Sequence, residues 1–222
     1  MTHLIKILLP FMVFLHAQAQ NLKEEKLPEW IHYKPINYDE KRIALMKEYA
    51  LMHYGTDNLE IVPRMIVIHW TGGKSLKSAL SNFSKTELSG REYLKKFGKV
   101  NVSSHYLVDR NGDIYKLMPD TLMGRHVIGL NHCSIGIENV GNNNLTDKQL
   151  KANAKLVEYL AKRYETIEYL IGHYEYIKFE NHPLFIEKIK GYRTKKSDPG
   201  KKFMEKLRII LSQKNISLKS EP

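Results

Sequence analysis

Apolar positions along the chain form two kinds of pattern, one typical of β-strands and one typical of α-helices. Segments of the two kinds alternate along the chain. The apolar, β-branched run RMIVIHW at residues 64–70 predicts a buried strand, and so does IEYLIGH at residues 167–173. In CSIGIENV the isoleucines point to one side, while Gly136 and Glu138 point to the other, as on a strand. The segment SSHYLVDRNGDIYKLM predicts a hairpin that turns at residues 111–112, where Asn precedes Gly.

Between these strands, apolar residues recur every three or four positions, which predicts helices. The first helix ends at Gly55, the second occupies residues 76–83, and a third follows a capping box that begins at Thr146. The last helix begins near Pro199. Because strands and helices alternate around a central hairpin, we predict a single α/β domain with a mixed central β-sheet flanked by helices on both faces.

The first 19 residues have a different pattern. A cation at Lys6 precedes an apolar run over residues 7–15, and small residues follow at Ala17 and Ala19. This order is typical of a secretory signal peptide, which we expect to be cleaved after Ala19. The apolar run is too short for a permanent membrane anchor, and no cysteine follows it for lipid attachment. We therefore predict export, to the periplasm or the extracellular space.

The net charge suggests a class of partner, and the cysteine content excludes two kinds of cysteine site. The formal net charge is +11, which favours an anionic partner, and export makes an acidic polymer outside the cell a better candidate than nucleic acid. A basic, solvated surface without a specific partner is the alternative. Cys133 is the single cysteine, which excludes an intramolecular disulfide and a four-cysteine zinc site.

Three side chains distant in sequence are candidate metal ligands. His69 and His173 lie at the ends of predicted strands, where α/β proteins build ligand sites, although each could be a buried histidine with a backbone partner. Asp198 precedes Pro199 and could cap the last helix, hold a metal, or do both. Two imidazoles and one carboxylate suit catalytic zinc and leave a fourth position open, but spacing alone does not establish the site.

The chain resembles a known family in five motifs. IVIHWTGG, VSSHYLVDRNGDIYKL, SIGIENVG, LIGH and KSDPGKKF stand in the order found in type-2 N-acetylmuramoyl-L-alanine amidases. These zinc amidases of peptidoglycan are related to phage amidase lysins and to animal peptidoglycan recognition proteins. The resemblance covers residues 62–212 and rests on five motifs in the correct order rather than on any one of them.

The resemblance implies a role for five residues. His69, His173 and Asp198 match the ligands of a Zn²⁺ cofactor. Glu138 matches the carboxylate that activates water, and Lys196 matches the lysine that stabilises the oxyanion. The chemistry of amide hydrolysis agrees, because it needs a nucleophilic water, a general base and a partner for a developing negative charge. Without the resemblance, Glu138 could equally belong to an ion pair and Lys196 to the solvated surface.

Three further residues are weaker candidates for substrate binding. His126 resembles a family position that contacts sugar or peptide, although Arg125 precedes it where relatives have tryptophan. His105 is expected either to line the cleft or to lie buried behind it. The segment 174–197 is longer than in compact relatives, and we expect it to cover part of the cleft as a lid or specificity loop.

The resulting hypothesis is an exported zinc hydrolase. It comprises a signal peptide at residues 1–19, an extension with one helix at 20–61, a catalytic domain at 62–212 and a frayed tail at 213–222. The predicted reaction cleaves the amide between N-acetylmuramoyl and L-alanine in peptidoglycan or muropeptides. We expect a monomer with no nucleic-acid partner and no permanent membrane anchor. The alternatives are a non-catalytic peptidoglycan-binding module of the same fold and a zinc peptidase that acts within the stem peptide.

Overall fold

A computed structural model describes residues 27–222, which form one six-stranded mixed sheet with helices packed against it. The predicted signal peptide lies outside the described residues. The strands are β1 (Ile31–Tyr33), β2 (Met65–Trp70), β3 (Tyr106–Val108), β4 (Ile114–Lys116), β5 (Ser134–Asn139) and β6 (Tyr169–Gly172). The α-helices are α1 (Glu40–Tyr54), α2 (Leu76–Phe83), α3 (Glu92–Lys95), α4 (Asp147–Arg163) and α5 (Lys201–Gln213). Two 3-10 helices span Asn131–Cys133 and His173–Phe179.

The order of the strands in the sheet is β1-β4-β3-β5-β2-β6. The predicted hairpin joins β3 and β4, which form the antiparallel pair, and Gly112 takes a positive φ of 92° in its turn. The other neighbours run parallel, so β5, β2 and β6 end at the same edge of the sheet. Because β2 lies between β5 and β6, both neighbours place their last residues beside its own.

One face of the sheet is covered by the two long helices. Isoleucines of β2 and β5 point to this face and meet Leu156 and Leu160 of α4 and Leu207 of α5. Thr146 and Gln149 close the predicted capping box at the start of α4. The apolar side chains on this face are almost fully buried.

The opposite face is covered by α1, α2 and irregular segments. Phe83 of α2 packs on Leu107 of β3, and Met46 of α1 packs near Met118, just beyond β4. The segment after β6 covers Val67 of β2 with aromatic side chains. The prediction of a mixed sheet with helices on both faces is therefore confirmed.

The predicted frayed tail is wrong. The strand β6 lies at an edge of the sheet, and the tail pairs with it through bonds from Leu170 N to Lys219 O and from Lys219 N to Glu168 O, each 2.9 Å. Ile216 and Leu218 pack against the core beside α5. The open backbone groups of an edge strand and two apolar side chains hold this segment in place. In the extension, β1 adds a strand to the other edge.

Among residues 27–222, no helix combines the length and apolar character needed to cross a membrane.

The core beneath α5 gives a test of the packing. Leu207 is fully buried, so Leu207→Ala should lower the free energy of unfolding by about 2–5 kcal/mol, because it removes apolar contact and leaves a cavity. Ile209→Ala is the matched control in the same helix, since Ile209 is 57% exposed, and it should change stability by less than about 0.5 kcal/mol. Urea denaturation of both variants measures this; equal losses would contradict the assigned packing.

Candidate metal centre

Parallel strand pairing brings the first candidate residues together. His69 lies directly opposite Glu138 in the register of β2 and β5. His173 follows β6 immediately, on the other side of β2. Side chains alternate along a strand, so the core face takes Ile66 and Ile68 while His69 points to the opposite face. The polar groups therefore converge at the carboxyl edge of three neighbouring strands, where open α/β sheets bind ligands.

Asp198 reaches the same place from a loop. Its backbone oxygen accepts a hydrogen bond from Tyr174 N at 3.1 Å, which ties the loop to the residue after His173. The predicted helix cap is wrong, because α5 begins after Gly200 without a side-chain cap. The Asp198 carboxylate instead meets the two histidines.

Three buried ligand atoms form a compact cluster. His69 Nδ1 lies 2.9 Å from His173 Nδ1, and Asp198 Oδ2 lies 3.0 Å from His173 Nδ1 and 3.4 Å from His69 Nδ1. Ligand atoms around a tetrahedral zinc ion are about 3.3 Å apart, so the cluster has the dimensions of such a site. Within residues 27–222, this is the group of His, Cys, Asp and Glu side chains that could hold a metal.

The protonation states also suit a metal. Burial and the neighbouring His69 lower the pKa of His173 to about 3, so its ring is neutral at pH 7. Burial opposes ionisation of Asp198, but hydrogen bonds from His173 and His69 outweigh it and hold the pKa of this carboxyl well below its usual range. Neutral imidazoles and an ionised carboxylate are the forms that coordinate a metal.

Glu138 presents an unsatisfied carboxylate beside the cluster. Its Oε2 atom is buried and has no hydrogen-bond partner within residues 27–222. Burial raises the pKa of Glu138 to about 7; Asp198 acts in the same direction, whereas His69 and Lys196 act against it. Buried polar atoms are usually paired, so an unpaired oxygen here indicates a group held ready for a ligand or water.

His126 supports His69 from behind. Its Nδ1 atom lies 3.1 Å from His69 Nε2, so a proton on His69 Nε2 leaves His69 Nδ1 free to bind a metal. The backbone of His126 is held by Asn131, whose Oδ1 accepts bonds from His126 N and Val127 N. Sequence reasoning missed Asn131, because nothing in its surroundings distinguishes it from an ordinary loop residue.

Gly136 leaves the space that His126 occupies. A Cβ atom at Gly136 would lie 2.8 Å from Ser104 Oγ and 2.9 Å from His126 Cγ. Only glycine at this strand position allows both side chains to approach β5.

The comparisons with known proteins agree with this geometry. The family model described as N-acetylmuramoyl-L-alanine amidase matches residues 59–201, well over half of the chain. The chain belongs to the N-acetylmuramoyl-L-alanine amidase family. The family assignment makes it an enzyme, and the predicted resemblance is confirmed.

Solved structures show the same fold at low identity. LysC, an N-acetylmuramoyl-L-alanine amidase from Clostridium intestinale URNW, is 20% identical with a TM-score of 0.53, covering 86% of this chain and all of that one. The selenomethionine derivative of AmpD is 21% identical with a TM-score of 0.53, covering 83% and 96% of the two chains. No curated protein sequence matches the chain.

Lys196 of the amidase lies in a cleft next to the cluster. It is half-buried, and its charge acts on both Glu138 and His173. The cleft is also lined by Arg91 and Thr194, two residues that sequence reasoning missed. Neither belongs to a motif; Thr194 is close to Lys196 in sequence, and the fold brings Arg91 to the same cleft.

The structure places His105 beneath the site of the amidase. It is fully buried, its Nδ1 atom accepts a bond from Gly136 N at 3.0 Å, and its Nε2 atom lies 2.9 Å from Leu122 O. Both ring nitrogens are thus engaged by the backbone, which leaves neither for substrate. His105 is therefore buried behind the cleft, the second of the two positions expected from the sequence. Its ring links β5 to the segment before His126.

Arg125 lies at the inner side of the cleft but turns its charge away from the opening. It is 4% exposed, and its guanidinium donates to the carbonyl oxygens of Leu94, Phe97, Gly98 and Val100. The side chain also covers the ring of Tyr49 at 4.5 Å. Arg125 therefore holds the 94–100 segment, and its guanidinium is occupied by backbone rather than offered to substrate.

The segment 174–197 of the amidase is packed onto the body of the domain. The ring of Phe185 lies against Gly129, and Ile186 N donates to Gly129 O at 2.9 Å. Its last part lines the cleft through Tyr192 and Thr194, so the segment contributes a wall. Its action as a lid or specificity loop stays a prediction.

His105 makes the stability of the amidase depend on pH. Burial lowers the pKa of His105 to about 4, whereas a histidine in the unfolded chain has a pKa of about 6.5. The unfolded chain therefore binds the extra proton first, and stability falls as the pH drops from about 6.5 towards 4, by up to about 3 kcal/mol. Denaturant unfolding at pH 7 and pH 4.5 measures this loss. The His105→Gln variant should lose less over the same interval; parallel losses in the two proteins would contradict the assignment.

Proposed function

We propose that this amidase uses zinc to hydrolyse the amide between N-acetylmuramoyl and L-alanine in peptidoglycan or muropeptides. The observation that carries the proposal is the convergence of His69, His173 and Asp198 beside an unpaired carboxylate oxygen of Glu138. Three protein ligands with an adjacent general base are the composition of a hydrolytic zinc site, whereas structural zinc sites use four protein ligands.

The donor set fits zinc. Two imidazole nitrogens and one carboxylate oxygen are ligands that zinc accepts, and all three residues are buried, with 8% exposure or less. A zinc ion held there would supply Lewis acidity, which polarises the amide carbonyl and lowers the pKa of water. The His126 ring behind His69 would keep the ligand ring in one orientation.

Glu138 is the proposed general base and acid. It lies opposite His69 in the register of the sheet, and its Oε2 atom is free to accept a proton from the attacking water. The protonated carboxyl can then donate the proton to the nitrogen of the departing L-alanine. A carboxyl that ionises near neutral pH serves both transfers.

Lys196 is the proposed partner of the oxyanion. The tetrahedral intermediate carries negative charge on the former carbonyl oxygen, and a cation already fixed at the edge of the cleft stabilises it without reorganisation. Lys196 is half-buried, lines the cleft and acts electrostatically on Glu138, which supports this role.

The proposed place of action is outside the cytoplasm, in the periplasm or extracellular space. The charged and apolar order of residues 1–19 supports export, and the net charge of +11 suits an anionic cell-wall polymer.

The metal is tested by composition and activity. Purified protein should contain one zinc ion per chain. The His173→Ala variant should lose both zinc and amidase activity, because only two of the three protein ligands remain. Elemental analysis and release of stem peptide from purified sacculi measure the two properties. His32→Ala, at an exposed position of β1, is the control and should retain both.

Product analysis on defined muropeptides separates the amidase from a peptidase that acts within the stem peptide. Mass spectrometry should find intact peptides that begin with L-alanine; shorter peptides would assign the activity to a peptidase.

The roles of the two catalytic residues are tested with zinc retained. Glu138→Gln should lower kcat roughly 10²- to 10⁴-fold, as expected for loss of general acid–base catalysis. Lys196→Ala should lower kcat about 10²- to 10³-fold through loss of oxyanion stabilisation. Lys195→Ala removes an exposed charge next to it and should have little effect. Equal activity of the Lys195 and Lys196 variants would contradict the role of Lys196.

A further inference from the structure

A fully buried hydrogen-bonded pair joins α1 to the segment that carries Lys196. His53 of α1 and Glu187 have side chains with 0% exposure, and His53 Nδ1 lies 2.8 and 2.9 Å from the two carboxylate oxygens. The other ring nitrogen, Nε2, lies 2.9 Å from Phe97 O. The imidazole therefore connects three separate segments of the chain.

The hydrogen bonds of this pair lie away from solvent, because both side chains have 0% exposure. A bond lost here is therefore not replaced by water, and a buried polar group without a partner is destabilising. Glu187→Gln replaces one carboxylate oxygen by an amide NH2 group, which changes the hydrogen bonding between residue 187 and His53.

Further contacts fix the chain on either side of Glu187. Ile189 N donates to Glu187 Oε1 at 2.8 Å, and Lys188 N donates to His53 O at 3.0 Å. The Lys188 side chain passes over Gly55, where an added Cβ would lie 2.0 Å from its Nζ atom. The backbone at 187–189 is thus held against the end of α1 at several atoms.

The same contacts continue to the cleft through Tyr192. Its ring stacks on Phe97 with centroids 4.2 Å apart and an interplanar angle of 21°, and it lies 5.1 Å from the ring of His53. Tyr192 is buried and also lines the cleft. Two residues later, Thr194 exchanges backbone hydrogen bonds with the hydroxyl of Tyr176, at 2.8 and 2.9 Å, and Lys196 follows.

We propose that His53 and Glu187 form a positioning pair that sets the cleft wall of residues 192–196, and through it the position of the Lys196 ammonium. The inference rests on the proposed role of Lys196 in the reaction. It adds that α1, which precedes the family match at residues 59–201, takes part in building the active site. The pair acts on catalysis through the backbone and touches no substrate.

The test is a double-variant cycle between Glu187 and Lys196. Kinetic constants are measured for wild type, Glu187→Gln, Lys196→Ala and the double variant, all loaded with zinc. If the pair positions Lys196, Lys196→Ala should cost at least about fivefold less kcat in the Glu187→Gln background than in wild type. Glu187→Gln keeps the size of the side chain, so the comparison isolates the charge and its hydrogen bonds.

A matched control removes a charge from the same segment without touching the pair. Lys190 is exposed and lies in the same segment, so Lys190→Gln should leave the cost of Lys196→Ala as in wild type. Hydrogen exchange supplies a readout independent of catalysis: amides at 188–197 should exchange faster in Glu187→Gln than in Lys190→Gln. Should Glu187→Gln fail to fold, His53→Gln replaces it in the same cycle.

The outcomes separate the two proposals. A cost of Lys196→Ala that is equal in both backgrounds, with unchanged exchange at 188–197, would overturn the positioning role. If Lys196→Ala alone leaves the activity unchanged, that single result overturns the proposed role of Lys196 in the reaction, whatever the rest of the cycle shows. A smaller cost of Lys196→Ala in the Glu187→Gln background, together with faster exchange at 188–197, supports the pair.

Discussion

The parallel pairing of β5, β2 and β6 is the constraint on which the site depends. A parallel register places the ends of neighbouring strands side by side, so the choice of residue at three strand ends decides what meets there. In this chain the central strand supplies His69, and its two neighbours lead to Glu138 and His173. The apolar face beneath fixes the register, because a slip by one residue would turn the isoleucines out of the core and the polar groups into it. Packing and catalysis therefore rest on one alignment.

This arrangement encloses a group of polar side chains at one edge of the sheet, where they need hydrogen-bond partners other than water. Neighbouring residues pair most of them: His126 bonds to His69, Asn131 holds the backbone of His126, and His105 spans two backbone groups. Glu138 keeps an oxygen without a partner. Since buried polar atoms normally find partners, the contrast between a paired framework and one open carboxylate marks Glu138 as a candidate functional group.

Sequence alone predicted the elements whose signals are local. Short apolar runs located β2 and β6, alternation located β5, the helical period located α4, and Asn111–Gly112 marked the hairpin, because these features depend on nearby residues. The three candidate ligands were named through residue type and family resemblance, and the fold brings them together. The role of Asp198 as a helix cap was wrong because a distant pair of histidines competes for its carboxylate. The pair of His53 and Glu187 had no local signal, since its partners lie 134 residues apart.

The tail that pairs with β6 has a consequence for how copies of the protein behave toward one another. An unpaired outer strand is a template to which another chain can add, and such addition leads to swapped or aggregated forms. Lys219 occupies the backbone groups on that side, and the apolar contacts of Ile216 and Leu218 anchor it. The segment around Lys219 thus keeps the β6 edge of the sheet closed to intermolecular growth. A change that displaced this segment would reopen the border of the strand that leads to His173.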